Sequence, residues 1–285
     1  EFVNIVRGEV NGDGKIGYAD YVTLNESFLT TTSSVTDVSV MGRDNVGGLV
    51  GYFENSNTAG FCYADTSGIV SGSTYVGGII GFLSNSSVSS EDGCIGCIDV
   101  EGSLAVGGVI GYASGGTIEY CYNERDVDAS SGYAGGIVGE GSSTIIKNCK
   151  NYSGAEISGA YQLGGIIGRS INSHLYNCTN YAGVHGSLSD SGSSTYTSVG
   201  GVAGYVSGKL SAATYAVQKC YVTDIVKVSG TNDVGGIVGY YYSSSISTGG
   251  IADCQNQGAT VGAFYQNAGG IVGKATNANL VACSI

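Results

Sequence analysis

Apolar residues in this chain come in short clusters separated by Gly, Ser, Asn and Thr, and one cluster keeps returning. From residue 46 it reads Val46-Gly47-Gly48-Leu49-Val50-Gly51, then Val76-Gly77-Gly78-Ile79-Ile80-Gly81, then Val106-Gly107-Gly108-Val109-Ile110-Gly111. It continues at Ala134-Gly135-Gly136, Leu163-Gly164-Gly165, Val199-Gly200-Gly201, Val234-Gly235-Gly236 and Ala268-Gly269-Gly270. The first glycines are spaced by 30, 30, 28, 29, 36, 35 and 34 residues, a period that marks a solenoid, a propeller or an array. A second phrase follows in most repeats: an aliphatic residue, two residues, Cys, one residue, Asn. Ile118-Glu119-Tyr120-Cys121-Tyr122-Asn123 sets the pattern, which is kept at Ile146, Cys149 and Asn151, at Leu175, Cys178 and Asn180, and at Ile251, Cys254 and Asn256. Leu280 and Cys283 begin a further copy. Cys220 has Val217 before it but Val222 in the place of Asn, and Cys62 lacks both neighbours, so the first coil is atypical.

A helix does not suit these clusters, because each glycine costs about 1 kcal/mol relative to Ala in a helix interior. Short aliphatic runs bounded by Gly, Ser and Asn turns read as strands. A repeat of about 30 residues is shorter than the roughly 40 residues of a propeller blade. It fits one coil of two or three strands, stacked on its neighbours at about 4.8 Å so that each strand pairs with its equivalents above and below. The expected fold is all-β: a parallel β-solenoid (β-helix) of about eight coils over residues 34–285, roughly 40 Å long on that spacing, preceded by a loop-helix segment over residues 1–33. The paired glycines either adopt left-handed conformations or let another backbone come close.

The Gly-Gly-Leu/Ile-Val-Gly phrase resembles the GLUG motif found in tandem on secreted and surface proteins of bacteria. The resemblance covers residues 46 to 285. It implies an extracellular repeat protein and carries no enzymatic activity with it.

Seven of the nine cysteines (Cys62, Cys121, Cys149, Cys178, Cys220, Cys254 and Cys283) come once per coil after the glycine phrase. In stacked coils they form an inward ladder. Buried thiols acting as small hydrophobes are one reading; disulfides between adjacent coils are another, since the coil spacing lies inside the range of Cα separations that a disulfide spans. The pair in Cys94-Ile95-Gly96-Cys97 is open to zinc, to a local disulfide or to free thiols. Asn123, Asn151, Asn180 and Asn256 form a side-chain hydrogen-bond ladder like those of stacked sheets.

Composition narrows the function. Of 285 residues 50 are Gly and none is Pro, so the chain is neither collagenous nor a Pro-rich linker. Only 12% are charged and the net charge is −12, which leaves no basic patch for nucleic acid or an anionic membrane. No apolar run approaches the roughly 20 residues that cross a bilayer. A polysaccharide lyase or hydrolase needs clustered carboxylates with a base. The best candidates, Glu119, Glu124, Asp126 and Asp128 around Arg125, read as a solvated face, and His174 and His185 lie near no nucleophile motif. No enzyme is expected.

The sharpest local motif is N-terminal. Glu9, Asn11, Asp13 and Asp20 put oxygens at positions 1, 3, 5 and 12 of a calcium loop, Gly14 takes the turn position and Lys15 offers a carbonyl at position 7. Tyr21, Leu24 and Phe28 then follow at helical spacing. The segment resembles one half of a dockerin, with Glu9 where Asp is usual and without the second loop-helix copy. One Ca²⁺ site serving as a cap or linker is expected; the same residues also read as an ion-free turn. The chain stops inside a repeat, so the expected partner is another copy of itself, coils stacking head to tail into a surface fibre. The alternative is an adhesin or spacer module within a longer chain, with a glycan or cell-surface ligand.

Overall fold

One turn of short strands has a face to bury and edges to pair, and neither need is met until another turn stacks on it. The computed structural model describes residues 39–58, 62–64, 68–187, 197–208, 215–244 and 249–285, together with the strand stretches Val10–Asn11, Lys15–Ile16, Thr23–Asn25, Phe28–Leu29 and Ser33–Val35. Its coils form a parallel β-solenoid whose strands line up in four sheets. In one turn, Val127–Ala129 belongs to sheet 1, Tyr133–Gly135 to sheet 2 and Val138–Ser142 to sheet 3. Ile145–Lys147 and Lys150–Asn151 then share sheet 4 before Glu156–Gly159 re-enters sheet 1 one coil on.

This turn thus has five strands, where two or three were expected. The extra corners are made by left-handed residues that are mostly not glycine. Ser143 (φ 55°) turns the chain from sheet 3 into sheet 4, and Asn148 (φ 56°) bends it within sheet 4. Asn177 and Asp253 repeat the second corner at φ 53° and 55°; Asn and Asp tolerate this region better than most residues.

The glycine phrase builds sheet 2, whose eight strands lie in register, Gly77 beside Gly107, Gly107 beside Gly135 and Gly135 beside Gly164. Seven turns therefore separate its first strand from its last. Close approach, rather than a left-handed backbone, is what these glycines supply. A Cβ on Gly135 would collide with the carbonyl oxygen of Val138, and one on Gly136 with that of Gly165 in the next coil. The core is a set of aliphatic columns: Val70, Val100, Val127, Ile157, Val184 and Val228 from sheet 1, and Ile80, Ile110, Val138, Ile167, Ala203 and Val238 from sheet 3. All of them are fully or almost fully buried.

Among the described residues the helix expected after the calcium loop is replaced by strands. Leu24 lies in strand Thr23–Asn25, paired in register with Tyr52, Phe53 and Glu54, and Phe28 lies in strand Phe28–Leu29, paired with Asn57 and Thr58. The open edges of the first coil offer these segments backbone partners, which a lone helical turn would have to supply from within. Tyr21 lies outside the described residues. Among the described residues no helix is long and apolar enough to cross a membrane.

Candidate functional site: inner ladders and outer columns

From Cys94 to Cys283 the sheet-4 corner places each column Cys directly after a left-handed residue, which turns the thiol inward. Cys62 pairs with Cys94 and Cys94 with Cys121. Cys149, Cys178, Cys220, Cys254 and Cys283 follow in the successive coils, each just before a strand that holds the sheet-4 register or, for Cys283, a single parallel bridge. The column thus holds eight thiols. Cys94, which the spacing assigned to a CxxC pair, is its missing member. The register slips between Ser89 and Cys94 against the next coil, which stretches the aliphatic-to-Cys interval and hides the match in sequence. All nine cysteines are free thiols, and every one but Cys283 is buried.

Within the column each sulfur points along the same direction. Cys149, Cys178, Cys220 and Cys254 donate to the carbonyl two residues back, at 3.2, 3.4, 3.4 and 3.2 Å. Burial pushes the Cys149 and Cys220 thiols well above their ordinary value, which keeps them neutral and unreactive. Cys97 stands apart from the column. Burial and the neighbouring Glu124 carboxylate, which accepts its hydrogen bond at 3.3 Å, push it up to about 12.

Two residues past Cys121, Cys149, Cys178 and Cys254 stand the asparagines of a second column. Asn123 Nδ2 donates to Asn151 Oδ1 at 2.9 Å, and Asn151 Nδ2 to Asn180 Oδ1 at 3.1 Å. The chain is tied to the backbone at both ends: Asn123 Nδ2 also donates to the Arg125 carbonyl at 2.7 Å, and Asn180 Nδ2 donates to that of Ala182 at 2.8 Å. Val222 interrupts the column, and Asn256 beyond it bonds Ala259 and the Gly270 carbonyl instead. These buried amides explain the second glycine of the phrase. A Cβ on Gly136 would overlap the Asn151 amide, and one on Gly165 would overlap that of Asn180.

The outer faces carry different chemistry. On sheet 3, Tyr52, Phe82 and Tyr112 stand in register, with ring centroids 4.9 Å apart at each step. The same column continues through Glu140 and Arg169, an ion pair at 3.2 Å, to Tyr205 and Tyr240. The acidic group read as a solvated face is dispersed over two faces. Glu119 pairs with Lys147 at 2.7 Å on sheet 4, while on sheet 1 Asp126 accepts the Glu156 amide at 2.8 Å and Asp128 the Ser158 hydroxyl at 2.5 Å. His174 is in strand His174–Tyr176 of sheet 4 and His185 in strand Gly183–Gly186 of sheet 1. Burial holds His174 below its ordinary pKa.

Of the calcium loop, Glu9, Asp13 and Asp20 lie outside the described residues. Asn11 and Lys15 pair with each other across an antiparallel two-strand ladder, and Ile16 joins sheet 1 beside Val40.

Parallel coils in register, glycine pairs at close backbone contacts and a buried ladder core define a glycine-phrase β-solenoid. The family described as the GLUG motif matches residues 102–128. That span is one full turn, from the end of strand Asp99–Gly102 to its paired strand Val127–Ala129 in the next coil. The other seven copies of the phrase occupy equivalent positions in sheet 2. Comparison with curated proteins and with solved structures gives no match.

Proposed function

We propose that the chain is a structural segment of a secreted bacterial surface protein, and that it extends a fibre by stacking the coils of one copy on those of the next. The observation that carries this reading is the in-register repeat: eight sheet-2 strands stack on one another, each coil supplying the pairing edge and the apolar face that its neighbour needs. A coil of the same period on another copy offers the same edge and the same face, and Leu280, the in-register equivalent of Ile251, would lie in that contact. The GLUG motif supports the extracellular setting, and calcium held by Glu9, Asn11, Asp13, Lys15 and Asp20 would order the opposite end of the segment.

Negative-stain microscopy with and without a chelator tests this reading. Rods well beyond the roughly 40 Å of one chain, shortened by chelation and dispersed by Leu280→Glu, are expected. Isolated short rods in every condition would overturn stacking. They would leave the second reading, an adhesive or spacer module, which the aromatic column Tyr52-Phe82-Tyr112 favours because its stacked rings, with the Tyr52 and Tyr112 hydroxyls, present an amphipathic face to a glycan or protein.

A further inference from the structure

On sheet 1 the connections arriving from sheet 4 differ in length. Residues 152–155 and 223–226 form longer connections, and both close a tight turn, Ala155 N donating to Tyr152 O at 3.3 Å and Val226 N to Thr223 O at 3.2 Å. Between them, residues 181–182 alone connect Asn180 to Gly183. The short connection leaves a slot of about 290 Å³ between two taller walls. Its floor is Gly183, which pairs in register with Glu156 on one side and, through the Val184–Val228 pairing, stands next to Lys227 on the other.

Both walls are charged and the floor is polar. Glu156 and Lys227 are exposed, and neither takes part in an ion pair among the described residues. Strand Gly183–Gly186 stands between them, and Gly183 puts no side chain into the space. His185 is held from outside by a 2.9 Å contact between Nδ1 and Ser229 Oγ. Its Nε2 faces the slot, since a Cβ on Gly183 would lie 2.6 Å from that atom. Ile225, 65% exposed on the longer connection, and the half-buried Tyr181 supply apolar surface at the rim.

We propose that this slot binds a small zwitterion, an α-amino acid with an apolar side chain. Its ammonium faces Glu156, its carboxylate faces Lys227 and His185 Nε2, and its side chain lies against Ile225 and Tyr181. The two wall positions stand two strand spacings apart, about 9.6 Å, on either side of the floor. A ligand lacking either charge would leave one wall group without its partner. The slot is on the side of the stack, so this binding goes beyond end-to-end assembly and does not depend on it.

Calorimetric titration of the whole chain with L-leucine, N-acetyl-L-leucine and L-leucinamide tests the proposal. L-Leucine is expected to bind, and each capped derivative to bind at least tenfold more weakly. Gly183→Val, which fills the floor against a movable imidazole rather than a backbone, should abolish binding. Lys227→Met and Glu156→Gln, both at exposed positions, should weaken it at least tenfold with circular dichroism and melting unchanged, and they decide the matter if Gly183→Val does not fold. Absence of L-leucine binding at millimolar concentration, equal binding of the capped derivatives, or binding indifferent to the wall variants would overturn it.

Discussion

Gly165→Val is expected to unfold the middle of the solenoid, at a cost of about 4 kcal/mol or more, the range reserved for severe core damage. The position has no room for a single carbon. A Cβ there would overlap the Asn180 amide and the carbonyl oxygen of Gly201 in the next coil. Neither neighbour can yield: the carbonyl is part of a sheet buried on its inner side, and the amide is fixed by Asn151 and Ala182. Overpacking elsewhere costs about 1–3 kcal/mol because side chains shift; here the obstacle is backbone. The contrasting substitution is Gly262→Ala on sheet 1. A Cβ at Gly262 meets nothing within 4 Å, and a change within about 0.5 kcal/mol is expected, as at ordinary surface sites. Urea unfolding followed by circular dichroism distinguishes the two; similar losses at both positions would show that the paired glycines serve chain flexibility instead of close packing.

Asn151→Ala is expected to cost about 2–4 kcal/mol, from two lost hydrogen bonds and the cavity left behind. Asn151 is fully buried and links its neighbours in both directions, accepting from Asn123 and donating to Asn180. Its removal strands one ladder donor on Asn123 and one ladder acceptor on Asn180, each on a fully buried side chain. Asn256→Ala is expected to cost less. Val222 separates it from the continuous ladder, and it bonds only backbone groups of the last coils. Equal losses at Asn151 and Asn256 would mean that the amides act singly and not as a chain.

Much of this architecture was legible because its cause is periodic. The recurrence of Val-Gly-Gly marks each sheet-2 strand, and the Cys and Asn that follow mark the two inward positions of sheet 4. What was hidden comes from local departures. Cys94 dropped out of the thiol column because extra residues between Ser89 and Cys94 lengthen its coil and shift the register; Gly96, standing where Asn123 stands one coil later, removed the second marker. The coil has more corners than strand counting gave, since residues such as Ser143 and Asn148 turn the backbone without a glycine to announce the turn. Leu24 and Phe28 fit a helical spacing by coincidence of period, and pairing with the first coil decided for strands. The side slot was invisible, because it depends on one connection being shorter than its two neighbours in space, which are a full repeat away in sequence.

The in-register stack itself is tested most directly by pulsed electron paramagnetic resonance on the outer column of sheet 1. Ser71, Glu101, Asp128, Ser158, His185 and Ser229 stand in register, one per coil. With Cys283→Ser removing the only cysteine that is not buried, spin labels paired from position 71 to 158, 185 and 229 should give distances rising in equal steps, to roughly 24 Å between 71 and 229 at five strand spacings. Distances that rise and then fall, as around a closed ring of blades, would contradict the parallel stack.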